Sequence, residues 1–261
     1  MEAILTAGGT PHPKDPLHSL SQGEPKTMIT ILGRPILQWI FDALAASPAI
    51  DGIILVGLPE PFQKQVHSPL PITFLPDQGT LMGNILTGLE AAAAARPEPH
   101  AAMLLSSDIP ALTPEAVEWM AEQARQRPDA DLLYTVATRK VMEKTFPGSK
   151  RTYVRLKDVE VCGGDMVILH TRMLQANRDL WQRLIESRKK PLQQAAIIGF
   201  DTLLLALLGQ LTLTQAEQRV TARLNLRGHA IPTPFAGSAM DVDKPDQFTL
   251  IESFLRERES S

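Results

Sequence analysis

"MEAILTAGGT", residues 1–10, is a run of apolar and small residues that ends in a glycine pair and a threonine, with Pro11 directly behind. Ile4, Leu5 and Ala7 read as a short buried strand, and Gly8-Gly9 removes both Cβ atoms where that strand must leave the sheet. A bare turn after a buried strand is either a tight connection or a place where main-chain N–H groups approach an anion such as a phosphate. The choice depends on what the rest of the chain brings to that turn.

The pattern begun there repeats. Helical periodicity in "PILQWIFDALAAS" (35–47) is followed by the apolar runs "IDGIILVGL" (50–58) and "PITFL" (71–75), and then by a helix over "LMGNILTGLEAAAAA" (81–95). "HAAMLLSSD" (100–108), "TPEAVEWMAEQARQR" (113–127) and "DLLYTVAT" (131–138) continue the alternation, with Thr113 before Pro114 and Glu115 marking a helix start. Near-continuous apolar strands, each followed by a helix, specify an α/β fold: a doubly wound, mainly parallel sheet covered on both faces. From residue 139 to 169 shorter alternating segments predict an antiparallel ribbon laid on the sheet edge. A helical insert over about 171–223, a last strand "SAMDVD" (238–243) and a closing helix (244–259) complete a single domain over residues 1–261. Within the insert, "AAIIGF" through "TLLLALLGQL" reads as a buried helix, core or the lining of an apolar acceptor pocket.

Composition removes several classes. Net charge is −3 with 26 basic and 29 acidic residues intermixed, which leaves no electrostatic footprint for nucleic acid. The lone Cys162 has no disulfide partner within the chain, no signal-like amino terminus is visible, and no apolar stretch reaches the ~20 residues that span a bilayer. A cytoplasmic protein is the expectation, with oligomerisation left open.

In an open α/β sheet, ligands gather at the carboxyl ends of the strands. Such places here are Gly8-Gly9 with the loop to Lys26, "PDQGTLMGN" (76–84), "SSDIP" (106–110), "GGD" (163–165) and "DVDKPD" (241–246). Asp108 is a turn cap or a ligand for a hard cation. Asp241 and Asp243, two apart in an extended segment, share one face; Asp243 also suits a helix cap before Lys244-Pro245. Taken in order, a glycine turn, a lysine in the following loop and carboxylates at distant strand ends compose a site for a nucleoside triphosphate with Mg²⁺.

The succession "AILTAGG", "PKTMITILGRPILQWIFDAL", "LLSSDIPALT" and "DVDKPDQF" resembles the MobA-like nucleotidyltransferase family, from residue 2 to about residue 254. The resemblance implies a Rossmann-type, GT-A-like fold in which Ala7, Gly8, Gly9 and Lys26 hold the triphosphate, with Lys26 and Asp108 as catalytic residues. It further implies a metal held by Asp108 and Asp243, with Asp241 as the substitute for the latter, and a base and ribose read by Gly79, Thr80 and Asn84. "GGD" looks like the turn facing the acceptor, so Gly164 and Asp165, with Arg151 and Arg155 nearby, are the acceptor-binding set. One departure is visible: the family's first loop runs from the glycines to an arginine followed by Met-Gly, and "TPHPKDPLHSLSQGE" (10–24) has neither. Lys14, His12 or His18 are the charges that loop offers in exchange, and with so little to bury it is expected to close over the nucleotide as a lid.

The expected activity is Mg²⁺-dependent transfer of a nucleotidyl group from an NTP to a phosphorylated small-molecule acceptor, releasing pyrophosphate. Glycosyl transfer from a nucleotide sugar, or a nucleotide-binding protein without activity, are the alternatives on the same fold.

Overall fold

The computed structural model describes residues 1–8, 14–176, 197 and 199–260. Strands β1 (Glu2–Thr6), β4 (Gly52–Val56), β5 (Ile72–Leu75), β6 (Ala101–Ser106), β7 (Leu132–Thr138), β9 (Glu160–His170) and β10 (Gly228–Thr233) form the sheet in the order β10-β7-β9-β6-β1-β4-β5. All neighbours are parallel except at β9, which runs antiparallel to both β6 and β7. β2 (Thr30–Ile31) and β3 (Arg34–Pro35) make a separate two-residue hairpin ladder, and β8 (Val154–Arg155) pairs with the start of β9.

Residue parity in β1 shows the double winding. Ala3 and Leu5 enter the larger core with α2 (Ile36–Ala45) and α5 (Pro114–Arg125), while Ile4 points to the opposite face, where it meets Leu89 and Ala92 of α4 (Leu81–Ala95). α10 (Pro245–Glu259) adds Ile251 and Leu255 to the larger core. The start of α5 is as the sequence predicts: Thr113 is its N-cap and the Thr113 hydroxyl accepts from the Ala116 N–H at 3.3 Å.

Four expectations are corrected. The antiparallel element is not an edge ribbon: β9 is inserted between β6 and β7, in the middle of the sheet. "SAMDVD" is not a strand, because residues 236–239 wind into a 3-10 turn and 241–243 are irregular; the true last strand is Gly228–Thr233, whose "GHAIPT" breaks the apolar run with a histidine and a proline. The apolar helix of the insert, α8 (Phe200–Leu207), is not buried. Its main described contacts are with α9 (Leu213–Leu224) and β8, and Ala206 rests against Val136, Leu156 and Val161, while Phe200, Leu204 and Leu207 face outward, Leu207 with 81% of its surface exposed; residues 177–196 and 198 of the insert lie outside the described residues. The first loop also has an anchor: residues 9–13 lie outside the described residues, but Leu17, just before α1 (His18–Ser21), is fully buried in the larger core. No helix among the described residues is long and apolar enough to cross a membrane.

The turn after β1 is fixed by contact. Gly57, at the end of β4, has φ +94°, and a Cβ built on it would lie 2.5 Å from the Gly8 Cα and 2.6 Å from the Gly8 nitrogen. Gly57→Ala therefore meets left-handed strain and a backbone collision together; a loss of at least about 2 kcal/mol of stability by urea unfolding is expected. A change below 0.5 kcal/mol would show that the turn is not packed in this way.

Candidate active site

The carboxyl ends of β1 and β6 and the segment after β5 open into a cleft of ≈ 380 Å³. Its walls include Ala7, Gly8, Lys26, Gly79, Thr80, Asn84 and Asp108, seven positions expected from sequence, now on one cavity. Gly9 lies outside the described residues.

Gly8 is bare for a reason visible here. A Cβ on it would stand 2.5 Å from Asn84 Nδ2 and 2.6 Å from Asp77 Oδ1. Asn84, in the first turn of α4, donates to Asp77 Oδ1 at 2.9 Å and accepts the Gln78 N–H at 2.7 Å. The Thr80 hydroxyl caps α4 by accepting from Gly83 N–H at 3.1 Å. Both side chains thus shape the loop that faces the glycine, and the cleft is walled by the backbone of Ala7–Gly8 on one side and Gly79–Thr80 on the other.

At the floor lies an ionic cluster. The Lys26 ammonium, in the 3-10 turn Lys26–Met28, donates to Asp108 Oδ2 at 2.6 Å and to Asp243 Oδ1. The Ser106 hydroxyl donates to the other Asp108 oxygen at 2.5 Å. The Val242 N–H donates to the Asp108 carbonyl at 3.0 Å and Val242 itself is fully buried, so Asp241 and Asp243 on either side of it both turn toward the cleft. Asp243 is not the helix cap: Lys244 holds that position, and the Asp243 N–H is satisfied by Gln247 Oε1 at 2.9 Å. Asp241 pairs with Arg151, whose guanidinium also reaches the Gly163 carbonyl at 3.3 Å. Arg155, by contrast, is 83% exposed and pairs with Glu160 at 3.1 Å, away from the cluster.

"GGD" is no turn. It sits inside β9, where the register against β7 slips between Tyr134 and Val136, leaving Gly164, Asp165 and Met166 opposite Thr135. A Cβ on Gly164 would lie 2.9 Å from the Thr135 carbonyl oxygen, so the irregular strand requires glycine there. Asp165 comes to lie beside the end of β6, with Oδ2 buried and without a hydrogen-bond partner.

The charges interact strongly. Burial acts to lower the Lys26 pKa, but Asp108 and Asp243 outweigh it and push the ammonium up to about 12. Burial resists ionisation of Asp243, yet its bond to Lys26 holds it below the usual carboxylate range. For Asp241 burial prevails even against Arg151 and raises it to about 6. Asp165 is raised to about 8 by burial first, then by the charges of Asp241 and Asp108, so at neutral pH it is a carboxylic acid with a proton to donate.

The donor set suits a hard divalent cation: carboxylate oxygens only, one of them buried and unpartnered. Among the described residues no three such groups are arranged as a ready-made metal cluster.

Sequence reasoning assigned no role to six residues that line the cleft, Thr6, Thr27, Asp77, Leu81, Ser106 and Ser107. Thr27 lines it with a buried hydroxyl that has no partner, and Asp77 lines it from the end of β5. Asp77 was discoverable by the strand-end rule; Thr27 carried no signal beyond adjacency to Lys26.

A mainly parallel sheet with this cleft at its carboxyl edge puts the candidate site where open α/β sheets bind their ligands. Residues 3–225 match the MobA-like NTP transferase domain, and the chain belongs to that family of nucleotidyltransferases. A hypothetical transferase from Thermus thermophilus is 31% identical, with 95% of this chain and 98% of that one covered at a TM-score of 0.79. A CMP:2-keto-3-deoxy-manno-octonic acid synthetase complexed with CTP (12% identical, 98% of each chain, TM-score 0.60) has the same fold. So does 4-diphosphocytidyl-2C-methyl-D-erythritol synthase from Anaerococcus prevotii (13%, 98% of this chain and 95% of that one, 0.59). By sequence, 78 residues are 28% identical to 2-C-methyl-D-erythritol 4-phosphate cytidylyltransferase from Synechocystis, covering 28% of this chain and about a third (34%) of that protein.

Two outcomes follow from the electrostatics. Lys26→Met leaves Asp108 and Asp243 facing each other without their cation, so in EDTA at pH 7 the variant is expected to lose about 1–2 kcal/mol of stability, with Asp243's exposure limiting the loss. The deficit should shrink at pH 5, and an equal deficit at both pH values by urea unfolding contradicts the pairing.

Asp165 has the opposite sign. Its folded pKa lies above the unfolded one, so the folded state holds the extra proton, and stability falls as pH rises from the carboxylate range to about 8. Asp165→Asn should therefore gain in melting temperature relative to the parent between pH 5 and pH 8.5 in EDTA. A difference that stays flat across this range refutes the assignment.

Proposed function

We propose that this chain transfers a nucleotidyl group from an NTP to a phosphorylated small-molecule acceptor and releases pyrophosphate. The observation that carries the reading is the Lys26 ammonium seated between Asp108 and Asp243 at the floor of a cleft whose wall is the Ala7–Gly8 backbone.

In this reading the base and ribose rest against Gly79 and Thr80, and the phosphates run along Ala7–Gly8 to Lys26. The acceptor phosphate enters from the side of Arg151 and Asp165. One of its oxygens forms a bond to the α-phosphorus while the α–β bridging bond breaks, and the electron pair leaves with pyrophosphate. The attacking oxygen is already anionic, so no general base is required and the protein's work is positioning and charge neutralisation. Asp108, Asp241 and Asp243 against Lys26 and Arg151 leave the cluster one negative charge in excess, to which a triphosphate adds more. Bound magnesium would supply the missing positive charge and polarise the phosphates, with Asp108 and Asp243 as its protein ligands and Asp241 as the substitute for the latter. Lys26 then gives up carboxylates for phosphate oxygens. Asp165, as a neutral acid, can donate a hydrogen bond to the acceptor phosphate without repelling it.

The test is pyrophosphate release from CTP, GTP, ATP and UTP with Mg²⁺ and a panel of small phosphorylated acceptors. CTP with 2-C-methyl-D-erythritol 4-phosphate is the first pair to try, since the names of three relatives carry a cytidylyl or CTP component. Pyrophosphate is expected from at least one NTP, with kcat lowered about 100-fold or more in Asp108→Asn. Sugar transfer from a nucleotide sugar without pyrophosphate release would reject the reading in favour of glycosyl transfer.

A further inference from the structure

The sheet face that carries α4 is covered unevenly. Between α4 and α9, over β7 and β10, lies a cavity of ≈ 890 Å³. Leu213, Ala216, Val220 and Leu224 of α9 line one side, Leu132 and Tyr134 of β7 the floor. The α9 positions are spaced three, four and four apart, which makes them one helical stripe, and no residue of this helix is fully buried. Among the described residues, Leu213 rests against Val136, Leu156 and Val161, while the stripe as a whole, with Ile197, lines the cavity. Its size is far above a packing defect and within the range of ligand pockets, roughly 300–1,000 Å³. Glu217 on the same wall is already engaged, accepting from the Ala230 N–H at 2.8 Å and pairing with His229 at 3.2 Å.

Two connections join this cavity to the reactive cluster. Thr80 and Leu81 line both cavities, and Leu81 is 65% exposed at the boundary. Tyr134 offers its ring to the apolar cavity, while its hydroxyl occupies the space a Cβ on Gly163 would need, two residues from Asp165 and at the residue whose carbonyl receives Arg151.

We propose that the cavity receives the hydrocarbon part of the acceptor: a free amphiphilic small molecule whose phosphate head meets Arg151 and whose apolar body runs past Leu81 and Tyr134 into the groove between α4 and α9. This rests on the nucleotidyl-transfer reading for the role of the bound molecule, and deepens it by naming the acceptor's class.

The experiment is isothermal titration of the full chain with butyl, hexyl and octyl phosphate, and separately with CTP. Affinity for the alkyl phosphates is expected to rise about threefold to fourfold per added methylene, with a heat-capacity change that grows more negative along the series. Ala216→Trp, which fills the groove, should weaken octyl phosphate at least tenfold and abolish the chain-length dependence, leaving CTP affinity unchanged. Val220→Gln places a polar group on the same stripe and serves if the tryptophan variant does not fold. Affinity independent of chain length overturns the proposal. So does a concentration-dependent dimer in sedimentation that Ala216→Trp dissociates, since the stripe would then be covered by a second copy. Chain-length dependence that the groove variants abolish, in a protein that neither binds CTP nor releases pyrophosphate, upholds the cavity while rejecting the nucleotidyl-transfer reading.

Discussion

Lys26 between Asp108 and Asp243 is the contact on which the remainder of the site depends. It gathers the loop after the first strand, the end of β6 and the segment before the last helix at one nitrogen, across sequence separations of 82 and 217 residues. Burial acts against the charge of both Asp243 and Lys26, and each offsets that cost for the other. Together they stay charged, Lys26 with a pKa of about 12. A buried cluster of this kind is costly to assemble and contributes less to stability than its Coulomb energy suggests. Its value lies in the arrangement: a cation and two hard anionic ligands held where phosphate groups can displace one partner and engage the other.

The second constraint is the reversed strand. Because β9 runs against its neighbours, its first half begins at the edge where the parallel strands end, so a strand interior, rather than a loop, delivers Asp165 to the site. The slipped register and Gly164 allow the side chain to sit beside β6 without a partner for Oδ2. Rigid backbone on both sides prevents Asp165 from escaping to solvent, which is why burial holds it near pKa 8. A loop aspartate would turn outward and ionise.

What the sequence made legible follows from locality. The strand and helix runs up to residue 138 carry their own periodicity and caps, as at Thr113, and the order of Gly8, Lys26, Asp108 and Asp243 was enough to place the cleft. What it concealed is long-range. β9 has the alternation of any antiparallel strand, and nothing local says that it pairs between β6 and β7. "GGD" looks like a turn because two glycines usually are one; here Thr135 of the neighbouring strand demands the second of them. Arg151 and Arg155 are indistinguishable by spacing, yet only Arg151 has an aspartate from residue 241 to draw it inward. The apolar run in α8 promised burial, but hydrophobicity cannot state how many neighbours an element at the sheet margin will find.

The fold divides the labour in a way that bears on specificity. Strands β1 and β6 and the segment from the end of β5 to Gly79–Thr80 build the cleft, at the strand ends where open α/β sheets bind ligands. Helices α8 and α9, with β7 and β10, occupy the other end of the sheet, beyond β9. Structures only 12–13% identical keep the architecture over 95–98% of both chains, so the architecture itself cannot select an acceptor. In the proposed reading selection rests on Arg151, Asp165 and the far half, where an apolar stripe at residues 213, 216, 220 and 224 lines a cavity. Were that stripe simply scaffold, closing the gap with larger side chains would gain dispersion contacts and cost nothing in the nucleotide cleft. The gap is instead walled by Ala216 and Val220, beside a tyrosine whose hydroxyl lies against Gly163, which is the geometry the proposed amphiphilic acceptor requires.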